Sequence, residues 1–444
     1  MNRELQNMSE ESLQNLEEIM EAELLTVEDI RQRVDTTEKG KIRQSIQNCK
    51  YALEHDPCLK GAICRNEMTC QIDIMKKMPW KRRGVHMTDT DMNNLALYLE
   101  KNYGLTSDRV IAKAIDIVAN ENSFHPILQH LESLKWDGIP RIQHMLTHFF
   151  GAEDIAYTGE VMKMHMMGAI RRLYEPGAKY DIMLCLVGGQ GTGKSTFFRY
   201  LAIKDEWFTD DMKRIDDKKV YEYLQGHWIV EMSEMNAVAN AKSIEETKSF
   251  LSRQKDIYCI PYERRAEDRY RQCVFCGTSN DLNFLPFDRT GNRRFAPVRV
   301  FPEKAKTTIY ENEAESRAYI IQAWTEAMEI YRSGDYPMTF SPEMEDHVKL
   351  FQREFMPEDT QTGMIQAFLD AYEEDYVCST IIYQQVFHQE GIVPKWQSKE
   401  IGDLMDNEIV GWMKHGNTDL VALLERRGRG NGYSRKKMKR DSYR

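Results

Sequence analysis

Long apolar runs are absent from this 444-residue chain. No stretch approaches the ~20 consecutive apolar residues that cross a bilayer, so the sequence predicts a protein without a membrane partner. The first 25 residues are acidic and amphipathic and lack the pattern of a secretory signal. We therefore expect a cytoplasmic protein whose nine cysteines are reduced thiols rather than a disulfide framework.

Complete sets of zinc ligands are also absent. Cys273 and Cys276 form a CxxC pair, and three cysteines recur every six residues from Cys58 to Cys70. Neither set has the further ligands that a four-coordinate zinc site requires. Because Cys185, Cys273 and Cys276 fall in strand-like apolar runs, we expect them to behave as small buried hydrophobes.

Excess positive charge is missing from the chain as a whole, whose formal net charge is −10. This balance argues against wholesale wrapping by nucleic acid, but the charge is unevenly placed. Arg426–Arg444 contains nine Lys or Arg residues against one Asp. We expect a disordered tail that either holds phosphates non-specifically or only keeps the chain in solution.

The stretch Asp181–Ile203 combines an apolar run, a glycine-rich loop and the start of an amphipathic helix. Gly188, four further residues, Gly193, Lys194 and Ser195 fill every fixed position of the phosphate-binding loop pattern. Glycines let backbone N–H groups turn toward a polyphosphate, and the helix presents its positive N-terminal end to the same anion. The pattern predicts that the protein binds ATP.

Within this loop, Lys194 is expected to reach the β and γ phosphates, and Ser195 is the expected Mg²⁺ ligand. The residues expected to surround the nucleotide are consecutive: Gly188, Gly189, Gln190, Gly191, Thr192, Gly193, Lys194, Ser195 and Thr196.

Polar residues at two later strand ends complete the predicted site. Glu231 lies near the end of the strand pattern His227–Met232, and Glu234 follows that pattern by two residues. Glu231 is expected to hold Mg²⁺ through water, and Glu234 to orient or deprotonate the attacking water. Asn280 follows another strand pattern, where its amide can reach the γ-phosphate or the attacking water.

Arginines lie on the loop that precedes the last strand pattern of this region, at positions Arg289, Arg293 and Arg294. Ring-forming ATPases hold at this place an arginine that reaches the γ-phosphate of the neighbouring subunit. An arginine shared in this way predicts a heterologous interface and a closed ring.

A hairpin pattern over Asp256–Tyr270 carries Tyr262, Arg264 and Arg265 near its tip. Cationic and aromatic side chains on such a tip can grip single-stranded DNA. The alternative is a solvated hairpin whose charges only pair with one another.

We divide the chain into five regions by composition and periodicity. These are an acidic amphipathic helical segment (1–40), a mainly helical domain (41–175), a P-loop ATPase core (176–310), a helical C-terminal domain (311–425) and the basic tail (426–444). In the second region, helical patterns divide at Gly104 and begin at Pro126, and the lone His125 and His130 are expected to be structural. The C-terminal patterns fit either a winged-helix order or a plain helical cap.

Six motifs occur in the order of a known family: WDGIPR, EPGAKYDIMLCLVGGQGTGKST, WIVEMSE, KSFLSRQKDIYCIPYERR, RQCVFCGTSN and TGNRRF. Between Asn122 and Phe301 the chain thus resembles the virulence-associated E-like proteins of phages and mobile elements. The resemblance implies an α/β, AAA+-like P-loop core of the superfamily 3 helicase type. It also implies roles for individual residues: Lys194 and Ser195 as the Walker A pair, Glu231 and Glu234 as the Walker B acids, Asn280 as the sensor, and Arg294, with Arg293 beside it, as the arginine that acts in trans.

Members of this type resemble rings, commonly hexamers, that translocate on single-stranded DNA during replication. Many carry a primase domain, but the first 120 residues here are too short for one and lack a triad of acidic metal ligands. We therefore expect a separate primase or initiator as a partner. The alternative function is a nucleotide-switched, DNA-binding replication initiator or regulator that does not unwind DNA.

Overall fold

A computed structural model describes residues 25–212, 220–233, 241–258, 267–285, 292–334, 336–356, 360–391, 393–415 and 432–435. Within these ranges, no helix has both the length and the apolar character needed to cross a membrane.

The N-terminal part of the described chain is a group of helices with its own apolar core. Its elements are α1 (Val27–Arg33), α2 (Ile46–His55), β1 (Ile63–Arg65), β2 (Ile72–Ile74), α3 (Asp89–Tyr103) and α4 (Asp108–Glu121). Gly104 ends α3 with a φ of +65°, a conformation that favours glycine. The predicted division of this region into two helices at Gly104 is therefore confirmed.

Further helices lead from this group to the central sheet: α5 (Pro126–Ser133), α6 (Met145–Phe150) and α7 (Ala156–Tyr174). Pro126 is the first residue of α5, as predicted. The His125 Nδ1 accepts a hydrogen bond from the Leu128 N–H (3.2 Å), and its Nε2 lies 2.7 Å from the Gln272 Oε1. His130 packs against the Trp207 ring. Both histidines thus have the structural roles predicted for them.

The region from 183 to 299 contains the central sheet and a separate hairpin. Its elements are β3 (Met183–Val187), α8 (Lys194–Leu201), β4 (Phe208–Thr209), α9 (Val220–Leu224), β5 (Ile229–Met232), α10 (Ala241–Leu251), β6 (Lys255–Tyr258), β7 (Glu267–Tyr270), β8 (Val274–Ser279) and β9 (Phe295–Arg299). Strands β6 and β7 form the predicted antiparallel hairpin. The sheet is parallel, in the order β4-β5-β8-β3-β9. The carboxyl ends of β3, β5 and β8 therefore meet at one edge.

Side chains of the sheet alternate between two cores. Leu184 and Leu186 of β3 belong to the core that also contains residues of α7 and α8. Cys185 points to the opposite face, where it shares a core with Phe250 and Phe275. This period of two is typical of a strand covered on both faces. Cys185, Cys273 and Cys276 are buried thiols that form no disulfide within the described ranges, and burial raises the pKa of Cys185.

Two helices after the sheet, α11 (Glu313–Ser333) and α12 (Pro342–Arg353), pack on this core. The Trp324 ring of α11 lies 4.4 Å, centroid to centroid, from Trp228, and its indole N–H donates to the Leu201 carbonyl (2.8 Å). Since Leu201 ends α8, these contacts fix α11 against the helix that follows the phosphate loop.

The C-terminal elements form a group with a separate apolar core: α13 (Thr360–Ala371), β10 (Tyr376–Cys378), α14 (Ser379–Gln385), α15 (Lys395–Asn407), β11 (Trp412–His415) and β12 (Gly432–Arg435). Their antiparallel sheet has the order β10-β12-β11. A strand, two helices and two further strands thus follow the first helix of this group, and the first strand pairs with the last. Gly432–Arg435 lie in the segment predicted to be disordered, and that prediction is wrong for them because they pair with both neighbouring strands.

Candidate nucleotide-binding site

The glycine-rich loop leaves β3 after Val187 and enters α8 at Lys194. Gly193 has a φ of +88°, and a Cβ there would lie 2.4 Å from the Ile309 Cγ2. A Cβ on Gly188 would lie 2.4 Å from the Val300 Cγ2. Both positions therefore require glycine for packing as well as for the approach of an anion. Gly189, Gln190 and Gly191 are exposed at the turn of the loop, whereas Thr192 and Thr196 are half-buried.

Lys194 is 7% exposed and its ammonium group lies inside the curve of the loop. Its Nζ donates to the carbonyl oxygens of Gly188 (2.8 Å) and Gly189 (2.7 Å) and to the Asn280 Oδ1 (3.1 Å). Burial lowers the pKa of Lys194, while the negative charge of Glu231 acts in the opposite direction. The predicted Walker A lysine and sensor asparagine thus meet at the carboxyl edge of the sheet.

Glu231 lies at the end of β5 and is fully buried. Its Oε1 accepts hydrogen bonds from the Ser195 Oγ (2.8 Å) and the Thr278 Oγ1 (2.6 Å). Burial raises the pKa of Glu231, and these hydrogen bonds partly oppose that effect. Thr278 was not among the predicted site residues. Thr278 lies two residues before Asn280, and side chains two residues apart in an extended chain point to the same face. This spacing could have identified Thr278 from the sequence.

The oxygen atoms at this edge fit Mg²⁺, which prefers oxygen ligands. Ser195 and Glu231 supply a hydroxyl and a carboxylate, and the Glu231 Oε2 is buried with no hydrogen-bond partner in the described structure. The described ranges contain no cluster of three or more His, Cys, Asp or Glu residues that could hold a metal ion. An ion held by Ser195 and Glu231 would therefore take most of its ligands from phosphate and water.

The two predicted trans-acting arginines have different environments. The Arg294 Nε pairs with the Asp181 Oδ2 (3.0 Å) and donates to the Ser252 Oγ (2.9 Å) within the same chain. Arg293 is exposed. The Met183 N–H donates to the Arg294 carbonyl (2.6 Å), which places both arginines at the opposite end of β3 from the glycine-rich loop. Neither arginine can therefore reach the phosphate loop of its own subunit without a large movement.

Other predicted residues lie outside the described ranges: Glu234, Tyr262, Arg264, Arg265 and Arg289. The base of the hairpin is described. There, the Arg271 guanidinium pairs with the Asp256 carboxylate (2.7 and 2.9 Å), and the two side chains are 2% and 5% exposed.

A cavity of about 230 Å³ lies between the base of the hairpin, the end of α9 and the loop that joins β1 to β2. Met68, His227 and Tyr270 line it, and none of the described residues predicted to be catalytic does. The candidate site therefore remains the carboxyl edge of the sheet.

Solved structures that match the chain come from the C-terminal region of NrS-1. The A form of its apo structure is 14% identical over 76% of this chain and 90% of that chain, with a TM-score of 0.46. A second apo structure is 13% identical over 84% of this chain and 95% of that chain, with a TM-score of 0.43. No curated protein matches the chain.

The model of the virulence-associated protein E-like domain matches residues 131–357, just over half of the 444-residue chain. The match includes the glycine-rich loop, the strands of the parallel sheet and both arginines. The chain therefore belongs to the virulence-associated protein E-like family.

Proposed function

We propose that this protein is a Mg²⁺-dependent ATPase that uses hydrolysis to move on single-stranded DNA in the replication of a phage or mobile element. One observation carries the proposal. Lys194 contacts Asn280, and Ser195 contacts Glu231, so four predicted residues from three separate segments converge beside one glycine-rich loop. A chance glycine-rich turn would not bring these partners together.

Each side chain has a role in the in-line attack of water on the γ-phosphate. Lys194 binds the β and γ phosphates and stabilises the charge that develops there. Ser195 and Glu231 would hold Mg²⁺, which offsets the charge of the phosphates. Thr278 keeps the Glu231 carboxylate oriented through its 2.6 Å hydrogen bond. Asn280 and Glu234 orient the attacking water, and Glu234 accepts its proton.

Steady-state ATP hydrolysis tests the ATPase. Lys194→Ala removes the charge beside the phosphates, so we expect hydrolysis to fall by several orders of magnitude. Lys349→Ala is a matched control, because Lys349 is an exposed residue of α12 that pairs with the neighbouring Asp346. The control should hydrolyse ATP like the wild type. Full activity in Lys194→Ala would contradict the proposal.

Movement on DNA is the second part of the proposal, and the hairpin supports it. The buried Asp256–Arg271 pair joins β6 to the short segment that leads from β7 into β8, the strand that ends one residue before Asn280. Through this connection, hydrolysis of the γ-phosphate can move the tip of the hairpin. We expect Tyr262, Arg264 and Arg265 at the tip to bind the phosphates of DNA. Strand displacement on a forked duplex tests this step. Hydrolysis without release of a strand, over a range of salt and for both polarities, would contradict it.

A second candidate function is DNA binding by the C-terminal group without unwinding. The winged-helix order favours it, because such a domain places its last helix, here α15, in the major groove. Lys395, Trp396 and Lys399 are exposed near the start of α15, and Trp396 is 66% exposed. The replacement of both lysines by alanine should weaken duplex binding and leave ATP hydrolysis unchanged. Unwinding that survives this replacement assigns the motor function to the ATPase core.

A further inference from the structure

The segment between β9 and α11 packs against one side of the phosphate loop. The Phe301 N–H donates to the Phe150 carbonyl (2.8 Å), and the Lys306 N–H donates to the His148 carbonyl (3.0 Å). Ile309, which is 1% exposed, packs directly against Gly193. The segment is therefore held by α6 on one side and by the phosphate loop on the other.

Tyr310 follows Ile309 and presents an aromatic ring beside the loop. A Cβ built on Gly193 would lie 3.3 Å from the Tyr310 Cε2. The Tyr310 hydroxyl lies 3.2 Å from the Thr196 Oγ1, which donates to it. Yet the side chain of Tyr310 is 55% exposed. This large aromatic residue thus touches both ends of the Gly193–Thr196 turn and leaves much of its ring uncovered.

The order of the sheet gives the direction of a bound nucleotide. Asn280, which directly follows β8, and Glu231 of β5 lie on one side of β3. In the proposed site these residues face the γ-phosphate. Strand β9 and the segment after it lie on the other side of β3. A nucleotide whose phosphates follow the loop must therefore direct its base toward Tyr310.

We infer that Tyr310 is the stacking surface for the base of the bound nucleoside triphosphate. The inference rests on the proposed nucleotide site and adds the residue that holds the nucleoside end. An aromatic ring attracts the flat face of a base, and the exposed part of Tyr310 is the part available for this contact. The hydrogen bond to Thr196 fixes the ring beside the loop.

The test compares two ligands that differ only in the nucleoside. The affinities of ATP and of inorganic tripolyphosphate, each with Mg²⁺, are measured by calorimetry for the full chain. Tyr310→Ala should weaken ATP binding by about 5- to 150-fold, the range that loss of one stacked base gives. Tripolyphosphate should bind within about twofold of wild type, because it lacks the base. The KM for ATP should rise while kcat is retained.

Two variants serve as controls. Tyr310→Phe keeps the ring and should bind ATP within about threefold of wild type, because a single neutral hydrogen bond contributes little. Tyr376→Ala removes a tyrosine of β10 that is 39% exposed, and should change neither affinity.

Three outcomes would overturn the inference. Tyr310→Ala could bind ATP as tightly as wild type, which would show that the ring does not hold the base. It could also lose tripolyphosphate and ATP equally, which would show that Tyr310 acts only on the loop. If the wild-type protein binds neither ligand, the proposed nucleotide site is itself wrong, and the role of Tyr310 fails with it.

Discussion

His165 is a histidine of α7 that is completely buried and whose two ring nitrogens have no hydrogen-bond partner in the described structure. Burial lowers the pKa of His165 from 6.5 to about 4. Between pH 6.5 and pH 4, the imidazole of His165 is therefore protonated in the unfolded chain but not in the native chain. The free energy of unfolding falls as the pH is lowered through this range. By pH 5 we expect a loss of about 2 kcal/mol.

The His165→Met variant should lack this loss, because it removes the titrating ring and keeps an apolar side chain of similar size. Urea unfolding of both proteins at pH 7 and pH 5 measures the difference. His347→Gln, at an exposed position of α12, is the control and should retain the wild-type dependence. An equal loss between pH 7 and pH 5 in wild type and His165→Met would show that His165 does not cause it.

At the residue scale, the spacing of motifs predicted which residues lie in the site. It did not predict the hydrogen-bond and ion-pair partners of those residues. Lys194, Ser195 and Asn280 follow from local patterns, and the structure brings them together. The hydrogen bond from Thr278 to Glu231 joins residues 47 positions apart, and periodicity carries no such information. The ion pair of Arg294 with Asp181 was missed for the same reason, since the partner lies 113 positions away.

At the scale of elements, the β6–β7 hairpin depends on a buried ion pair at its base. Asp256→Ala would leave the Arg271 guanidinium buried without its carboxylate. Removal of one partner of such a pair costs about 3–5 kcal/mol. We expect a markedly lower melting temperature. The double variant Asp256→Leu with Arg271→Met should be more stable than Asp256→Ala, because it leaves no unpaired charge.

The same hairpin offers a matched control. Lys255 and Asp268 form an ion pair whose side chains are 45% and 40% exposed. Exposed pairs contribute about 0–1 kcal/mol, so Lys255→Ala should hardly change the melting temperature. Equal effects of Asp256→Ala and Lys255→Ala would argue against a special role for the buried pair.

Long elements were easier to predict than short ones. The helix that begins at Pro126 has apolar residues at helical spacing, the strand Met183–Val187 is a continuous apolar run, and both are confirmed. Strands β10 and β12 contain only three and four residues, too few for a pattern. Gly432–Arg435 also lie in a basic, glycine-containing segment that is typical of disorder. Their pairing with β10 and β11 determines their structure, and the local sequence does not reveal that pairing.

At the scale of the whole molecule, the two described arginines bear on the proposed sharing of the active site between subunits. Because Arg294 is engaged with Asp181 and Arg293 is exposed, we propose that Arg293 enters the neighbouring subunit's site and that Arg294 positions the loop. Arg293→Ala should still bind ATP, while hydrolysis should fall by about a thousandfold or more. Arg294→Ala should have a smaller effect on hydrolysis.

Mixing of inactive variants tests the sharing of the site. Arg293→Ala and Lys194→Ala proteins should regain partial activity together, because some interfaces then pair an intact loop with an intact Arg293. A mixture of Lys194→Ala with the double variant Lys194→Ala/Arg293→Ala contains no complete interface and should remain inactive. No recovery in mixed rings shown to form would mean that Arg293 acts within its own chain or that another residue supplies the charge.

The packing of Ile309 against Gly193 bears on genetic dominance. A Lys194→Ala subunit keeps that packing. If the protein forms the proposed ring, such a subunit would enter mixed rings with the wild-type protein and block their hydrolysis, and the allele would be dominant. A Gly193→Ala subunit would meet Ile309 at 2.4 Å with a φ of +88°. It would misfold and be degraded before it could assemble. Two lesions in neighbouring codons of the same loop would thus be inherited differently, the first as dominant and the second as recessive.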